Sequence, residues 1–130
     1  MSVYEFKGRD EIFHRIAHDP DDDLLLDAIS SIKNPNEADN EGQTYLHFAA
    51  LHFKVKAVEA LLKIGADPNI TNKRGTVPLS CAIGRKNPNR VKVVQLLLDY
   101  GADLDAKCGE KTIRETIKMF EDSDLQCFVE

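Results

Sequence analysis

The feature that most constrains the fold of this chain is that its sequence repeats. A shift of 33 residues superimposes identical residues on one another, namely Pro35 on Pro68, Asn36 on Asn69, Gly42 on Gly75, Leu46 on Leu79 and Ala49 on Ala82. The N-terminal part follows the same spacing, since His14 and Ala17 fall on His47 and Ala50. A fixed period of this length is typical of solenoids, in which each unit packs on its neighbours.

The period changes once along the chain. Beyond Ala82 the offset is 36, so that 65–67 (Gly-Ala-Asp) falls on 101–103, and we expect three additional residues around 86–90. We predict four units, 6–38, 39–71, 72–107 and 108–130, which form a single domain over 1–130. The end units are degenerate, as expected where a unit has a neighbour on one side only.

Local patterns predict two helices in each unit. Val55, Val58, Leu61 and Leu62 share one face of a helix, and Gly65 follows where a glycine with positive φ can end it. The fourth unit is expected to have a helix from Thr112 and a last turn within 124–129.

Helix starts and turn tips are also predicted by short motifs. Asp19-Pro20 and Asn87-Pro88 each pair a capping residue with a proline, a combination that favours the start of a helix. The stretches 40–42, 73–75 and 107–109 each end in glycine and are expected to be the tips of turns that project between units.

Composition bounds the class of protein. The 130 residues are 42% hydrophobic and 30% charged, which is ordinary for one soluble globular domain. The N-terminus carries charges where a signal peptide needs an apolar run, and no window approaches the roughly 18 apolar residues of a membrane span. The widely spaced Cys81, Cys108 and Cys127 indicate reduced thiols. We predict a cytoplasmic protein that does not bind membranes, and the net charge of −5 argues against nucleic acid as its partner.

Two groups of residues have the spacing of metal ligands. His14 and His18 lie four residues apart, which can place two imidazoles on one metal, but no cysteine or acidic residue is positioned to complete that site. The acidic run 19–23 lacks the glycine turn and the distal glutamate of a calcium loop. Carboxylates of this kind are favoured in the first turn of a helix by its dipole. We therefore predict no metal and no cofactor.

Catalytic motifs are not found in the sequence. It contains no G-x-S-x-G, H-E-x-x-H, Walker glycine loop or C-x-x-C. Cys81 falls within a predicted helix and is expected to be a small core or groove residue. We predict that the chain is not an enzyme.

Charge is distributed unevenly between the units. Lys and Arg minus Asp and Glu gives −5 for 1–38, −1 for 39–71, +4 for 72–107 and −3 for 108–130. Two interpretations are open. The charges form an ordinary solvated surface, or they form a groove of two polarities that attracts a partner of opposite polarity.

One stretch identifies a family resemblance. The residues 44–49 (Thr-Tyr-Leu-His-Phe-Ala) resemble the T-P-L-H-x-A signature of the ankyrin repeat, with Tyr45 in place of proline. The chain is similar to this family along its length. The resemblance implies an all-α solenoid of stacked helix-turn-helix units with projecting turns or short hairpins. It also implies that His47 hydrogen-bonds within this framework, with Thr44 as its expected partner.

The resemblance further implies a function, the binding of another protein across the concave face. Carried over position by position, the turn tips and inner-helix ends expected to contact the partner are Asn40, Glu41, Gln43, Phe48, Leu51, His52, Lys73, Arg74, Thr76, Arg85 and Lys86. Leu51 and His52, with Phe48 and Phe53, are expected to form the apolar centre of that surface. Phe53 and the insertion at 86–90 depart from the family, which usually has glycine at the position of Phe53. Both are candidate sites of a specific contact, although Phe53 is also suited to packing between helices.

Three forms of this binding function remain open. The chain is a general interaction module, a stoichiometric inhibitor such as an ankyrin-type immunity protein that neutralises a toxin or other enzyme, or a eukaryotic regulatory adaptor. For the last, the stretch 61–69 resembles the spacing recognised by asparaginyl hydroxylases. In each case we expect the chain alone to be a monomer.

Overall fold

The structure is a computed structural model that describes residues 10–20, 22–119 and 123–129. Its helices alternate between two layers along the chain. The inner layer consists of α1 (Glu11–His18), α3 (Tyr45–Leu51), α5 (Pro78–Ile83) and α7 (Ile113–Met119), and the outer layer of α2 (Asp23–Ser30), α4 (Val55–Lys63) and α6 (Arg90–Asp99). A short helix α8 (Ser123–Gln126) follows α7. Before α7, β1 (Lys107–Cys108) and β2 (Lys111–Thr112) form an antiparallel hairpin.

Each layer is continuous from one unit to the next. In the inner layer α1 packs on α3, α3 on α5 and α5 on α7, while in the outer layer α2 packs on α4 and α4 on α6. The main contacts therefore join helices of the same unit or of neighbouring units, which is the arrangement of a solenoid. The predicted all-α solenoid with projecting turns is confirmed.

The core is formed by positions that the repeat matches. Leu46 and Leu79 are completely buried, as are Ala49 and Ala82 in the same inner helices. Burying each leucine contributes about 1.5–3 kcal/mol. The alanines add little volume, so that the axes of α3 and α5 can approach closely.

The predicted start of the second helix is wrong. α2 begins at Asp23, and its cap is Asp22, whose Oδ1 accepts hydrogen bonds from the backbone N–H groups of Leu24 (3.1 Å) and Leu25 (3.2 Å). Asp19 instead ends α1 in an extended conformation, with ψ 156°, because proline disfavours helical geometry in the residue before it. The chain reverses direction between the end of α1 and the start of α2, so the residues directly after Asp19 cannot belong to either helix.

The predicted start of α6 is also displaced. The Oδ1 atom of Asn87 accepts a hydrogen bond from Asn89 N at 2.8 Å, and its carbonyl accepts one from Arg90 N at 3.0 Å. These bonds close a turn, and the helix begins after it, at Arg90. The three additional residues lie where we expected them, since six residues join α5 to α6 whereas three join α3 to α4.

Two of the three predicted turn tips share one hydrogen-bonding pattern, and the third, 107–109, lies in the β1–β2 hairpin. Asp39 and Asn72 occupy the same position in successive units. Each accepts two backbone hydrogen bonds through Oδ1, at 2.9–3.0 Å, from the residues two and four positions further on. Gly42 and Gly75 follow with φ of +78° and +77°, a region that favours glycine. Neighbouring tips also touch, because Lys73 N donates to the carbonyl of Glu41 at 3.0 Å.

The fourth unit has a capped inner helix and an ion pair to the third unit. Thr112 caps α7, since its Oγ1 accepts from Glu115 N (3.1 Å) while the Glu115 carboxylate accepts from Thr112 N (3.3 Å). Arg90, only 2% exposed, donates to the Asp124 carboxylate at 2.7 Å and thereby ties α8 to α6. Among the described residues, no helix is both long and apolar enough to cross a bilayer.

Candidate functional site

His47 is a structural residue at the junction of the second and third units. Its side chain is completely buried, and Nδ1 accepts a hydrogen bond from Thr44 N at 3.1 Å. Nε2 therefore carries the proton and donates a hydrogen bond to the carbonyl of Thr76 at 2.8 Å. Thr44 is the partner that we predicted. The bond to Thr76, which links the two units, was not predicted.

The environment of His47 favours its neutral form. Burial lowers the pKa of the imidazole, and this effect outweighs the opposing influence of the bond to the Thr76 carbonyl and of the Asp39 charge. Since both nitrogens already have framework partners, neither is placed to bind a metal. Among the residues that the structure describes, no three His, Cys, Asp or Glu side chains are grouped to hold a metal ion.

The matching positions of the other units differ from His47. In the third unit the hydroxyl of Ser80 accepts from Val77 N (3.2 Å) and donates to the Val77 carbonyl (2.8 Å), so it replaces the bonds within the unit and not the bond between units. In the first unit His14 is exposed, and its ring centroid lies 4.6 Å from that of His18.

The predicted contact residues at the turn tips fall into two groups. Asn40, Glu41, Lys73 and Arg74 are exposed to solvent. Gln43 is partly buried, and its Oε1 accepts a hydrogen bond from the Asn72 side chain at 3.2 Å. Thr76 is partly buried as well, and its carbonyl accepts the hydrogen bond from His47 Nε2. Gln43 therefore joins the two neighbouring tips, and Thr76 joins the tip of the third unit to α3 of the second.

The predicted apolar centre is smaller than expected. Phe48 is only 7% exposed because the ring of Phe13, from the preceding inner helix, packs edge-on against it with centroids 5.3 Å apart. Phe48, which we predicted to contact a partner, belongs instead to the core. Leu51 and His52 remain partly exposed. Burial, with the charges of Lys54, Arg85 and His18, lowers the pKa of His52.

Phe53 and Arg85 form a contact between the second and third units. Phe53 has φ +55°, and it is the one non-glycine residue with positive φ in the described part of the chain. It follows the C-cap of α3, where a left-handed residue commonly ends a helix. Its ring is 5% exposed, and the Arg85 guanidinium lies 5.5 Å from the ring centroid. Arg85 also donates to the carbonyl of Leu51 at 2.7 Å.

The basic surplus of the third unit is concentrated on the side of the inner helices and turn tips. Residues 68–98 include no Asp or Glu and six Lys or Arg. Arg90 is buried and Lys92 lies on the outer helix α6. The exposed cations that remain are Lys73 and Arg74 before α5, and Arg85 and Lys86 after it.

The acidic surplus of the first unit is divided between the inner and outer helices. Asp22 caps the outer helix α2, and Asp23 and Asp27 lie within it. Asp19 forms an ion pair with Arg15 at 2.7 Å. Asp21 is outside the described residues. The basic half of the expected groove is exposed, whereas most acidic residues of the first unit are divided between the inner helix α1, with Asp10, Glu11 and Asp19, and the outer helix α2.

Cys81 lies on α5, and the two pairs of cations lie before and after this helix. It is half-buried, and burial raises the pKa of its thiol to about 11. The thiol therefore remains protonated at neutral pH and is a poor nucleophile.

Asparagines at equivalent positions also link successive units, away from the turn tips and the inner-helix ends. Asn36 Oδ1 accepts from Asp67 N at 2.7 Å, and Asn69 Oδ1 accepts from Asp103 N at 2.9 Å. Asn69 also donates through Nδ2 to the carbonyl of Gly101 at 3.0 Å. The side chain of Asn69, the residue that suggested a hydroxylase substrate, thus bonds the second unit to the third.

Comparison with known proteins agrees with this architecture. A family model described as ankyrin repeats (3 copies) matches residues 13–108. A putative ankyrin repeat protein of Rickettsia felis is 37% identical over 90 residues, which are 65% of this chain and 39% of that protein. The neurogenic locus notch homolog protein 1 of Danio rerio is 32% identical over 95 residues, covering 72% of this chain and 4% of its own length.

A solved structure shows the same fold. The human ASB11 ankyrin repeat domain superimposes with a TM-score of 0.68 at 26% sequence identity, over 85% of this chain and 48% of that one. This chain thus spans less than half the length of each of these relatives. The family model covers most of the chain, including the turn tips and the His47 framework. The chain therefore belongs to the ankyrin repeat family.

Proposed function

We propose that this chain binds a partner protein through the turn tips and inner-helix ends of its second and third units. Ankyrin repeats are generally protein-interaction modules, which supports the proposal. The contact surface that we propose consists of Asn40, Glu41, Leu51, His52, Lys73, Arg74, Arg85 and Lys86. Phe48 is excluded because it is buried, and Gln43 and Thr76 lie at its margin.

The observation that carries this proposal is the exposure of cations before and after α5, with partly exposed residues of the second unit next to Arg85. Lys73 and Arg74 are exposed at the tip before α5, and Arg85 is exposed after it, where it donates to the carbonyl of the partly exposed Leu51. Interfaces commonly combine an apolar centre with charged residues at the rim. Rim charges of one sign speed association with a partner of opposite sign and help to select that partner.

We propose that the chain acts without catalysis. The described residues support this proposal, since His47 uses both ring nitrogens in the framework and the Cys81 thiol remains protonated. We also propose a cytosolic location and a monomeric state. The free thiols of Cys81, Cys108 and Cys127 suit a reducing compartment. Light scattering of the purified chain tests the monomer, which has a mass of 14.6 kDa.

Capture of partners by matched variants tests the proposed surface. The affinity-tagged chain is incubated with an extract of the source cells, in parallel with Lys73→Glu/Arg74→Glu and with the control Lys33→Glu/Lys92→Glu. Both variants change the net charge equally, but Lys92 lies on α6 and Lys33 follows α2. We expect the control to capture the same protein as the wild type. The tip variant should capture at least about ten-fold less, which corresponds to about 1.4 kcal/mol of binding free energy.

Two results would contradict the proposal: the absence of a captured protein with any variant, and equal capture by the tip and control variants. If the thermal midpoint shows that the tip variant has unfolded, the comparison is repeated with Lys73→Ala/Arg74→Ala, which adds no like-charge repulsion at the tip, and that variant decides the result.

The identity of the captured protein separates the finer forms of this function. If it is an enzyme or toxin whose activity is lost on addition of one equivalent of this chain, the chain is a stoichiometric inhibitor or immunity protein. If its activity is unchanged, the chain is an adaptor.

A further inference from the structure

We infer that the third unit recognises an acidic segment of the partner, with one carboxylate bound at Arg85 and a second bound at the Lys73–Arg74 tip. This inference rests on the proposed function and specifies the chemistry of the partner. The two positions lie at opposite ends of α5, so the segment must cross the third unit along that helix.

Arg85 is positioned before any ligand arrives. One Nη donates to the carbonyl of Leu51 at 2.7 Å, and the guanidinium lies over the Phe53 ring. A guanidinium has five N–H donors, so this bond leaves most of them available for a carboxylate. Among the described residues, Arg85 has no carboxylate partner. A fixed guanidinium binds its ligand at a lower entropic cost than a flexible side chain does.

The conformation of Phe53 supports this interpretation. A non-glycine residue with positive φ is uncommon, and for a bulky side chain it signals a turn or strain. Glycine would adopt φ +55° without that cost, yet it would leave nothing beneath Arg85. The aromatic ring therefore has a use that glycine could not supply, which is to support a cation on the adjacent unit.

The spacing of the two cationic positions limits the sequence of the segment. Helix α5 has six residues, which corresponds to about 9 Å at 1.5 Å per residue. An extended chain advances about 3.3 Å per residue, so at least about three residues must separate the two acids. The half-buried side chain of Cys81 lies on α5 between the two cationic positions, which favours small or apolar residues in the middle of the segment.

Charge favours a protein over a nucleic acid as the source of the anions. A nucleic acid has a phosphate at every residue, whereas the cations here occur at two positions with a less polar surface between them. The exposed Glu41 on the neighbouring tip and the net charge of −5 would repel a continuous polyanion.

Two peptides of identical composition test the inference by fluorescence anisotropy at low ionic strength. The first has two glutamate pairs separated by five residues of Ala, Leu and Ser, and the second has all four glutamates together. We expect the first peptide to bind the full chain at least about five-fold more tightly. Arg74→Glu should weaken its binding about ten-fold, the change that about 1.4 kcal/mol produces. Lys92→Glu, which alters the net charge equally on the outer helix, should leave it unchanged.

Arg85→Lys distinguishes a positioned guanidinium from a simple positive charge. Lysine keeps the charge but cannot form the planar fork that matches a carboxylate. We expect about five-fold weaker binding of the separated-acid peptide and little change for the peptide with contiguous acids.

Several results would overturn the inference. These are equal binding of the two peptides, no binding of either, equal weakening by Arg74→Glu and Lys92→Glu, and tighter binding of a four-phosphate single-stranded oligonucleotide. If the peptides fail while tip-dependent capture of a protein persists, the inference is wrong and the proposed function stands. If tip-dependent capture also fails, both are wrong.

Discussion

At the signature position of the inner helix, the second unit has a histidine and the third unit has a serine. His47 reaches out of its own unit to the carbonyl of Thr76, whereas Ser80 bonds only to the backbone of Val77. The second unit thus uses its polar signature to hold the stack together. The third unit lacks that connection to the next unit but carries exposed cations before and after its inner helix. The same helix position can therefore form a bond between units or only a bond within one unit.

Replacing the two signature residues gives the largest expected difference between the units. His47→Ala removes the hydrogen bonds of the ring to Thr44 and Thr76 and leaves a cavity and an unpaired Thr76 carbonyl, so it should lower the free energy of unfolding by about 3 kcal/mol. Ser80→Ala loses only bonds within its own unit and should cost about 1 kcal/mol. Urea denaturation followed by circular dichroism measures both. Equal losses would mean that the bond between units contributes nothing.

The glycines of the two turn tips provide a second comparison, which concerns the backbone. Gly42 and Gly75 have the same positive φ, so alanine is strained at both, by about 1 kcal/mol. A Cβ at Gly42 would also lie 2.9 Å from Lys73 N, while a Cβ at Gly75 would meet nothing within 4 Å. We therefore expect Gly42→Ala to cost about 2 kcal/mol or more and Gly75→Ala about 1 kcal/mol.

Thermal and urea unfolding of the two alanine variants tests this difference. A Gly75→Ala variant that is as unstable as Gly42→Ala would mean that the close approach of neighbouring tips is not what distinguishes the two units.

The features that sequence predicted correctly are those that the repeat states more than once. The helix pairs and the glycine turns follow from local residues and from the 33-residue spacing, whereas the partnership of His47 with Thr44 was implied by the family resemblance. The start of α2 was missed because Asp19 and Asp22 are both good caps, and only the path of the loop selects between them.

The surface was harder to predict because its contacts join residues about one unit apart. Phe48 is buried by Phe13, and the Arg85 guanidinium is held by Phe53 and Leu51 from the preceding unit. No local pattern encodes these distances. The repeat did contain a signal for one kind of contact between units. Asn36 and Asn69 recur at the same position, and the side chain of each bonds to the following unit.

The protonation of His47 predicts a pH dependence that the third unit lacks at this position. The pKa of His47 is lowered by folding from its usual value of 6.5, so the unfolded chain binds more protons below pH 6.5. Stability should therefore fall as pH decreases from 6.5, by at most about 1.4 kcal/mol per pH unit for this one group. Urea midpoints between pH 7.5 and about 5 measure this loss. His52, whose pKa is also lowered, contributes in the same direction.

The variant His47→Ala separates the contributions of the two histidines. It should show a shallower dependence over this range, with the remaining slope belonging to His52 and the other titrating groups. An unchanged slope would show that His47 does not titrate between the folded and unfolded states.

The first residue of the inner helix gives the smallest expected effect, since the second unit has Tyr45 where the third has Pro78. Tyr45 stacks on Phe13 with centroids 4.2 Å apart, and its hydroxyl donates to the carboxylate of Asp10, the residue that caps α1. Burial and this hydrogen bond raise the pKa of the phenol, which therefore stays protonated.

Tyr45→Phe keeps the ring stack and removes only the hydroxyl, so it should cost about 1 kcal/mol in urea unfolding. The matched control is Tyr100→Phe, which alters an exposed tyrosine at the C-cap of α6 and should change stability by less than about 0.5 kcal/mol. If the two variants are equally stable, the bond to Asp10 does not stabilise the junction of the first and second units. In that case the aromatic stack alone would account for a tyrosine where the third unit has proline.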